Sequence, residues 1–226
     1  MKSFLLPVLL ICLAGCAAER QPLLPELTAI RDVAGAKRCE SGFPRGRWQF
    51  VHSIDFSMQD GSGGTVVGVT SLAGNEIACA LMTVEGFTVF EAVLREGKGL
   101  EVQRAVPPFD KPAFADGLMR DVRLIFLAPS AKNMQYGGAA GNAPVCRYTE
   151  ANGRVIDILP TADDCWQIKT YTSDLTMDRA IIARSCQKTG ASLIPEHLEL
   201  RGFGKAGYTL KMTLISAENL NRQTLP

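Results

Sequence analysis

The residues from Trp48 to Gln59 place the tightest constraint on what this chain can fold into. Trp48, Phe50, His52, Ile54, Phe56 and Met58 alternate with Gln49, Val51, Ser53, Asp55, Ser57 and Gln59, and only Val51 departs from the polar set. A helix would scatter these side chains around its axis, whereas a strand sends successive side chains to opposite faces. At about 3.3 Å per residue the run reaches roughly 40 Å, longer than the strands of most small sandwiches. Its length asks for a large sheet with one apolar face.

The segments that follow have the spacing of an antiparallel meander. Asp60-Gly61-Ser62-Gly63-Gly64 ends the first strand as a hairpin loop. Strands are expected over 65–72, 76–83, 87–95 and 99–105, parted by Ala73-Gly74-Asn75, Val84-Glu85-Gly86 and Glu96-Gly97-Lys98. One helix interrupts: Pro107-Pro108 precede it, Asp110 is placed to cap it, and Phe114, Leu118, Val122 and Ile125 fall at helical spacing before Pro129. Ser130 to Pro144, containing Gly137-Gly138-Ala-Ala-Gly141, reads as a flexible loop. No strand feeds it and no helix follows, so it is not a phosphate cradle. A second run of strands is expected over 145–149, 154–159, 165–172, 178–186, 197–202 and 207–215. In the last, Tyr208, Leu210, Met212 and Leu214 alternate with Thr209, Lys211 and Thr213. Ahead of all this, Leu23, Leu27, Ile30 and Ala34 mark a short amphipathic helix, and the segment from Arg38 to Arg47, with Gly42, Pro44 and Gly46, breaks it. The total is about eleven antiparallel strands and two helices in a mainly β domain.

The N-terminus carries one positive charge at Lys2, an apolar stretch from Phe4 to Leu13, and then Leu13-Ala14-Gly15-Cys16. The apolar stretch is too short to span a bilayer and reads as a secretory signal. Its end resembles the bacterial lipobox. That resemblance implies cleavage before Cys16 and acylation there, with residues 1–15 the signal peptide and 16–22 a lipidated N-terminus and tether. Several acyl chains, at roughly 0.8 kcal/mol per buried CH₂, make a durable anchor. Ala17, and not Asp, follows the cysteine, which by the sorting rule of Gram-negative lipoproteins implies the outer membrane, periplasmic face.

The formal net charge is +1 and no block of like charge stands out, so the chain has no electrostatic basis for binding nucleic acid. Beyond the signal and Cys16, five cysteines remain: Cys39, Cys79, Cys146, Cys165 and Cys186. An oxidising compartment permits disulfides, and an odd count leaves one thiol over. Cys79, alternating with Ile77 and Leu81, reads as a buried core thiol. Cys165 and Cys186 lie symmetrically about Ser173-Asp174-Leu175-Thr176, as cross-strand neighbours would, and are the disulfide candidates. No pair has metal-ligand spacing, no nucleophile stands beside a base, and neither a cofactor nor a metal is expected. The expectation is a protein that is not an enzyme.

Two features carry alternatives. His52 interrupts the apolar face of the longest strand, either as a satisfied core histidine or as a polar contact inside a ligand cavity. Arg120 and Arg123 on the central helix are either solvated charge or a reader of lipid phosphate. His197, beside Pro195 and Glu196 at a strand start, reads as surface, and Asp60 to Gly64 as a hairpin turn.

A lipobox, a leading helix, about five meandering strands, a central helix and a closing set of strands resemble the LolA/LolB carriers of bacterial lipoproteins. Leu81-Met-Thr-Val-Glu-Gly86-Phe-Thr-Val-Phe-Glu91 is similar to the family's strand–Pro-x-Gly–strand turn. Pro112 to Pro129 stands where the helix packed against the barrel mouth would stand. Ile194-Pro195-Glu-His-Leu-Glu-Leu200, followed by Tyr208-Thr-Leu-Lys-Met-Thr213, resembles the closing pair of strands. The same pattern fits an uncharacterised group of LolB-like lipoproteins.

The resemblance implies that residues 23–226 form a half-open antiparallel β-barrel whose concave face is covered by helices. Trp48, Phe50, His52, Ile54, Phe56, Met58, Phe114 and Leu118 would then line an apolar groove suited to acyl chains. In a closed sandwich the same stripe would be ordinary core. Val84, Glu85 and Phe87 would form a membrane-facing turn, with Glu85 standing where LolB exposes a leucine. A carboxylate there is costly to push into acyl chains, which argues against insertion of cargo into a membrane. The expected function is an outer-membrane-anchored lipoprotein that binds lipid or lipoprotein acyl chains. The rival expectation is an envelope interaction or structural module whose barrel is filled by its own side chains. The protein partner stays open.

Overall fold

In the computed structural model the described residues are 22–30, 39, 42–129, 134–139, 143–161, 163–190, 192–204 and 207–222. The alternating run becomes strand β1 (Trp48–Met58), inward at Trp48, Phe50, His52 and Ile54 and less buried toward its end. The meander continues through β2 (Gly63–Ala73), β3 (Glu76–Met82), β4 (Thr88–Arg95) and β5 (Gly99–Ala105). Helix α1 (Pro112–Phe126) follows. The second run comprises β6 (Met134–Gly138), β7 (Pro144–Thr149), β8 (Val155–Pro160), β9 (Trp166–Tyr171), β10 (Met177–Thr189), β11 (Ser192–Gly202) and β12 (Tyr208–Asn219). Leu220–Arg222 close the described chain in a 3₁₀ turn.

All twelve described strands belong to one antiparallel sheet in the order β5-β4-β3-β2-β1-β12-β11-β10-β9-β8-β7-β6. The fold is a half-open barrel with one helix among the described residues. Strand order explains where that helix must go. The chain leaves the sheet at one edge, β5, and re-enters at the opposite edge, β6, so the connection has to cross a face. Helix α1 makes that crossing against the main core, burying Ala115, Met119, Val122, Leu124, Ile125 and Phe126.

Pro112 occupies the first helical turn, where its missing N–H costs nothing. Asp110 is not the cap. Lys111 stands at that position without a side-chain hydrogen bond, since an ammonium has no acceptor to offer the helix N–H groups. At the other end the Leu127 N–H donates to the Arg123 carbonyl at 2.9 Å, and the chain turns extended before Pro129.

Two further expectations are corrected. No helix forms over 22–30; that segment runs extended, with bridges from Leu23 to Thr176 and from Thr28 to Gly138. Pro25 forbids a helix interior there and pushes Leu24 toward extended backbone. Residues 31–34, the rest of that expected helix, lie outside the described residues, as do the signal, Cys16 and the tether through residue 21. The stretch expected to be a loop instead contains the edge strand β6, paired along its length with β7.

The extended segment straps the outer face of the sheet. Leu24 packs with Val155, Tyr171 and Met177 in a small second core. Beneath it Arg147 donates to both oxygens of Asp157 at 2.7 Å and to the Pro25 carbonyl at 2.9 Å, so this buried pair is bidentate and saturated by backbone. Gly137 permits the strap's approach, since a Cβ there would stand 2.9 Å from the Thr28 carbonyl oxygen.

Two disulfides are present. Cys165 is bonded to Cys186, with Cα atoms 5.4 Å apart, and Cys39 is bonded to Cys146 across a separation of 107 residues. Cys79 is the free thiol among the described residues; burial pushes it up to about 12, which keeps it protonated and inert.

Candidate functional site

The space between α1 and the sheet divides into a filled half and an open half. In the filled half an aromatic stack runs from β1 to the helix. Trp48 stacks on Phe50 at 5.5 Å, Phe50 on Phe126 at 5.0 Å, and the His52 ring sits 5.9 Å from Phe126. His52 is 2% exposed, and burial lowers its imidazole from 6.5 to about 4, so it is neutral at physiological pH. The space left there is a cavity of about 10 Å³ bordered by Phe50, His52, Phe126, Trp166 and Pro195 among others.

A polar cluster fastens the helix at its middle. Asp121, 3% exposed, accepts from Arg179 Nε of β10 at 3.0 Å and from the Tyr208 hydroxyl of β12. Arg179 also donates to Asp178 Oδ1 at 2.6 Å, and Asp178 in turn takes Arg154 Nη2 at 3.2 Å. The Arg179 guanidinium lies 5.4 Å from the Tyr208 ring centroid. Burial pushes the Asp121 carboxyl above the usual carboxylate range against the pull of Arg179. Burial and the neighbouring Asp121 both push the Tyr208 hydroxyl well above its ordinary value.

In the open half a cavity of about 680 Å³ lies along the last two turns of the helix. One wall is Leu94 and Leu100, a cross-strand pair of β4 and β5. The other is Tyr148, Ile156 and the turn from Thr149 through Arg154, between β7 and β8. The helix and the turn after it supply Met119, Arg120, Arg123, Leu124 and Leu127, with Asp116 at one end. The size falls within the roughly 300–1,000 Å³ of small-molecule sites. Its apolar walls and charged mouth suit an amphiphile. Among the described residues no group of three His, Cys, Asp or Glu side chains is placed to hold a metal.

The residues singled out from sequence fall in three places. Trp48, Phe50, His52 and Ile54 are buried under α1, while Phe56, Phe114 and Leu118 are half-buried and Met58 is exposed. None of these eight lines the larger cavity. At the β3–β4 turn Val84 and Phe87 are 65% and 72% exposed. The Thr83 hydroxyl beside Glu85 holds its carboxyl below its ordinary value, so the turn's tip stays charged. Antiparallel register puts this turn at the same end of the sheet as exposed Met58 and Val106 and as the Asp60 hairpin. Arg120 and Arg123, weighed as lipid-phosphate readers, do reach the open cavity. Leu94, Leu100, Tyr148 and Ile156 carried no sequence signal, because they meet only once the sheet curls.

Neither a protein-family model nor a curated protein matches the sequence. Solved structures do match in fold. A LolA superfamily protein from Nitrosomonas europaea superposes with a TM-score of 0.55 at 12% identity, covering 88% of this chain and 96% of its own. A DUF1329 family protein from Desulfovibrio piger gives 0.52 at 9%, with 85% and 92% covered. A domain described as an outer membrane lipoprotein-sorting protein, from Vibrio parahaemolyticus, gives 0.50 at 7%, with 84% and 91% covered.

Proposed function

We propose, from the fold this chain shares with a LolA superfamily protein and an outer membrane lipoprotein-sorting domain, that the protein is a non-enzymatic envelope lipoprotein, anchored through acyl groups on Cys16 to the periplasmic face of the outer membrane. It binds the acyl chains of lipids or lipoproteins between α1 and the half-barrel. The observation that carries this reading is the 680 Å³ cavity beside α1, walled by Leu94, Leu100, Leu124, Leu127 and Ile156. Burying a chain of methylenes against such walls is worth roughly 25 cal/mol per Å² of apolar surface. No base, nucleophile or metal is needed for that task.

A second reading, an interaction module with a filled barrel, is favoured by the Trp48–Phe50–Phe126 stack that occupies the other half of the interior. Native mass spectrometry of the chain purified from its host envelope separates the two. Co-purifying masses that dissociate as fatty acid, phospholipid or lipopeptide support the binding reading, and an unliganded chain at the mass of the mature protein overturns it. The anchoring part has its own test: Cys16→Ser should abolish lipidation and leave a soluble or uncleaved precursor. Fractionation showing that variant still processed and membrane-bound would refute it.

A further inference from the structure

We infer that the mouth of the cavity beside α1 is a head-group site for an anionic amphiphile, read by Arg120 and Arg123 with Arg154 opposite. The inference rests on the acyl-binding reading and narrows it from any apolar chain to one that ends in a carboxylate or phosphate. Arg120 and Arg123 stand three residues apart on one face of α1 and both line the cavity. Neither makes an ion pair or hydrogen bond through its side chain among the described residues, in a protein whose Arg95, Arg147, Arg154, Arg179 and Arg201 all do. Like charges at this spacing on a helix repel by a few tenths of a kcal/mol when nothing lies between them. Arg154 lines the same cavity from the β7–β8 turn, with its Nη2 held by Asp178.

The carboxylates at the rim do not fill this role. Asp116 lies one turn before Arg120, where an acid N-terminal to a base is favourable, yet no ion pair forms between them. Glu150 is exposed and its backbone closes the β7–β8 turn with Arg154. The lining charges therefore sum to +1, with three guanidiniums over two carboxylates. Arg123 does complement the negative end of α1, but Arg120, one turn earlier, has no such role. The apolar wall residues Leu94, Leu100, Leu124, Leu127 and Ile156 beside the arginines favour an anion with an alkyl tail over a free one.

The test is photolabelling of the full chain in nanodiscs of zwitterionic lipid, with three diazirine probes of equal chain length: a fatty acid, its methyl ester and a phosphatidylglycerol. Labelled peptides are mapped by mass spectrometry. Peptides spanning 116–129 and 148–156 should be labelled at least tenfold more by an anionic probe than by the ester. Arg120→Gln with Arg123→Gln should bring the anionic probe down to the level of the ester and leave the ester's labelling unchanged. Labelling by the fatty acid alone assigns a carboxylate head, and labelling by phosphatidylglycerol a phosphodiester; both support the site. Equal labelling by acid and ester, insensitive to the two substitutions, overturns the head-group site but keeps acyl binding. Absence of labelling by every probe removes the acyl-binding reading itself. Thermal melting of the double variant within a few degrees of wild type confirms that it folds.

Discussion

Asp121→Ala and Arg179→Met break the same buried ion pair from opposite sides and are expected to fail in different ways. At 3.0 Å the pair attracts by about 5.5 kcal/mol at an effective dielectric constant of about 20. Desolvation of both groups offsets most of that, so the intact pair adds little net stability, whereas removing one partner typically costs about 3–5 kcal/mol. Asp121→Ala should sit at the low end, about 3 kcal/mol, because Arg179 keeps Asp178 as an acceptor at 2.6 Å. Arg179→Met should sit near the high end at neutral pH, since Asp121 is left with the Tyr208 hydroxyl as its one side-chain donor.

Proton linkage separates the two further. Without Arg179 the buried carboxyl binds its proton more tightly in the folded state than in the unfolded one. Its contribution is then present at low pH and lost as pH rises through the raised value. The Arg179→Met deficit should therefore shrink on going from pH 7.5 to pH 5, and the Asp121→Ala deficit should not. For a domain of this size about 3 kcal/mol corresponds to roughly 6–12 °C in melting temperature. Asp121→Leu with Arg179→Met, which replaces the pair by apolar side chains, should recover most of the loss. The assay is differential scanning calorimetry of the three variants at both pH values. Single variants within about 0.5 kcal/mol of wild type, or a double variant no better than the worse single, would refute the view that α1 is latched by this pair.

Two other expectations are open to simple measurement. With His52 lowered from 6.5 to about 4, the unfolded chain takes up a proton below pH 6.5 that the folded chain refuses, and stability should fall by about 2 kcal/mol between neutral pH and pH 5. His52→Leu should flatten that slope in urea melts, and an unchanged slope would show that another group is responsible. In the chain-entropy view the Cys39–Cys146 bridge, separated by 107 residues, is worth roughly 4.8 kcal/mol and the Cys165–Cys186 bridge, separated by 21, roughly 3.3 kcal/mol. Replacing both members of each pair by alanine should thus lower the melting temperature more for the long loop, and the reverse order would point to native-state packing as the controlling factor.

The parts of the fold that could be read from sequence are those whose signal is local. The β1 alternation survives because one face of that strand is buried and the other is not, and α1 was legible because Phe114, Leu118, Val122 and Ile125 keep helical spacing between prolines. Residues 23–30 carry a similar spacing, yet their backbone pairs with Thr176 and Gly138, which are remote in sequence, and Pro25 tips the balance. Strand β6 was hidden because Gly137-Gly138 read as loop composition, whereas Gly137 is small so that the strap can lie on it. The candidate cavity was least legible. Arg120 and Arg123 stood out as charge on a helix, but its walls come from β4, β5, β7 and β8, which lie near opposite edges of the sheet and far apart in sequence.

The same strand order links the latch to the route a ligand would take. A connection from β5 to β6 must cross the sheet, so the chain cannot avoid placing a helix over the interior. What it can choose is how firmly that helix is held. The buried Asp121–Arg179–Tyr208 cluster and the Phe50–Phe126 stack hold α1 against β1, β10 and β12. Lifting it would return the ion pair to water at little net cost but would expose the aromatic stack and the buried apolar face of α1, at a cost of several kcal/mol. The space along Leu94, Leu100 and Ile156 needs no such rupture. On the proposed function, an acyl chain therefore passes beside a fixed helix and not beneath a lifted one, with its charged end stopped at Arg120 and Arg123. Weakening the latch should then lower stability without raising affinity for an anionic amphiphile. An Asp121→Ala variant that bound such a ligand more tightly than wild type would reverse this order of events and make the helix the gate.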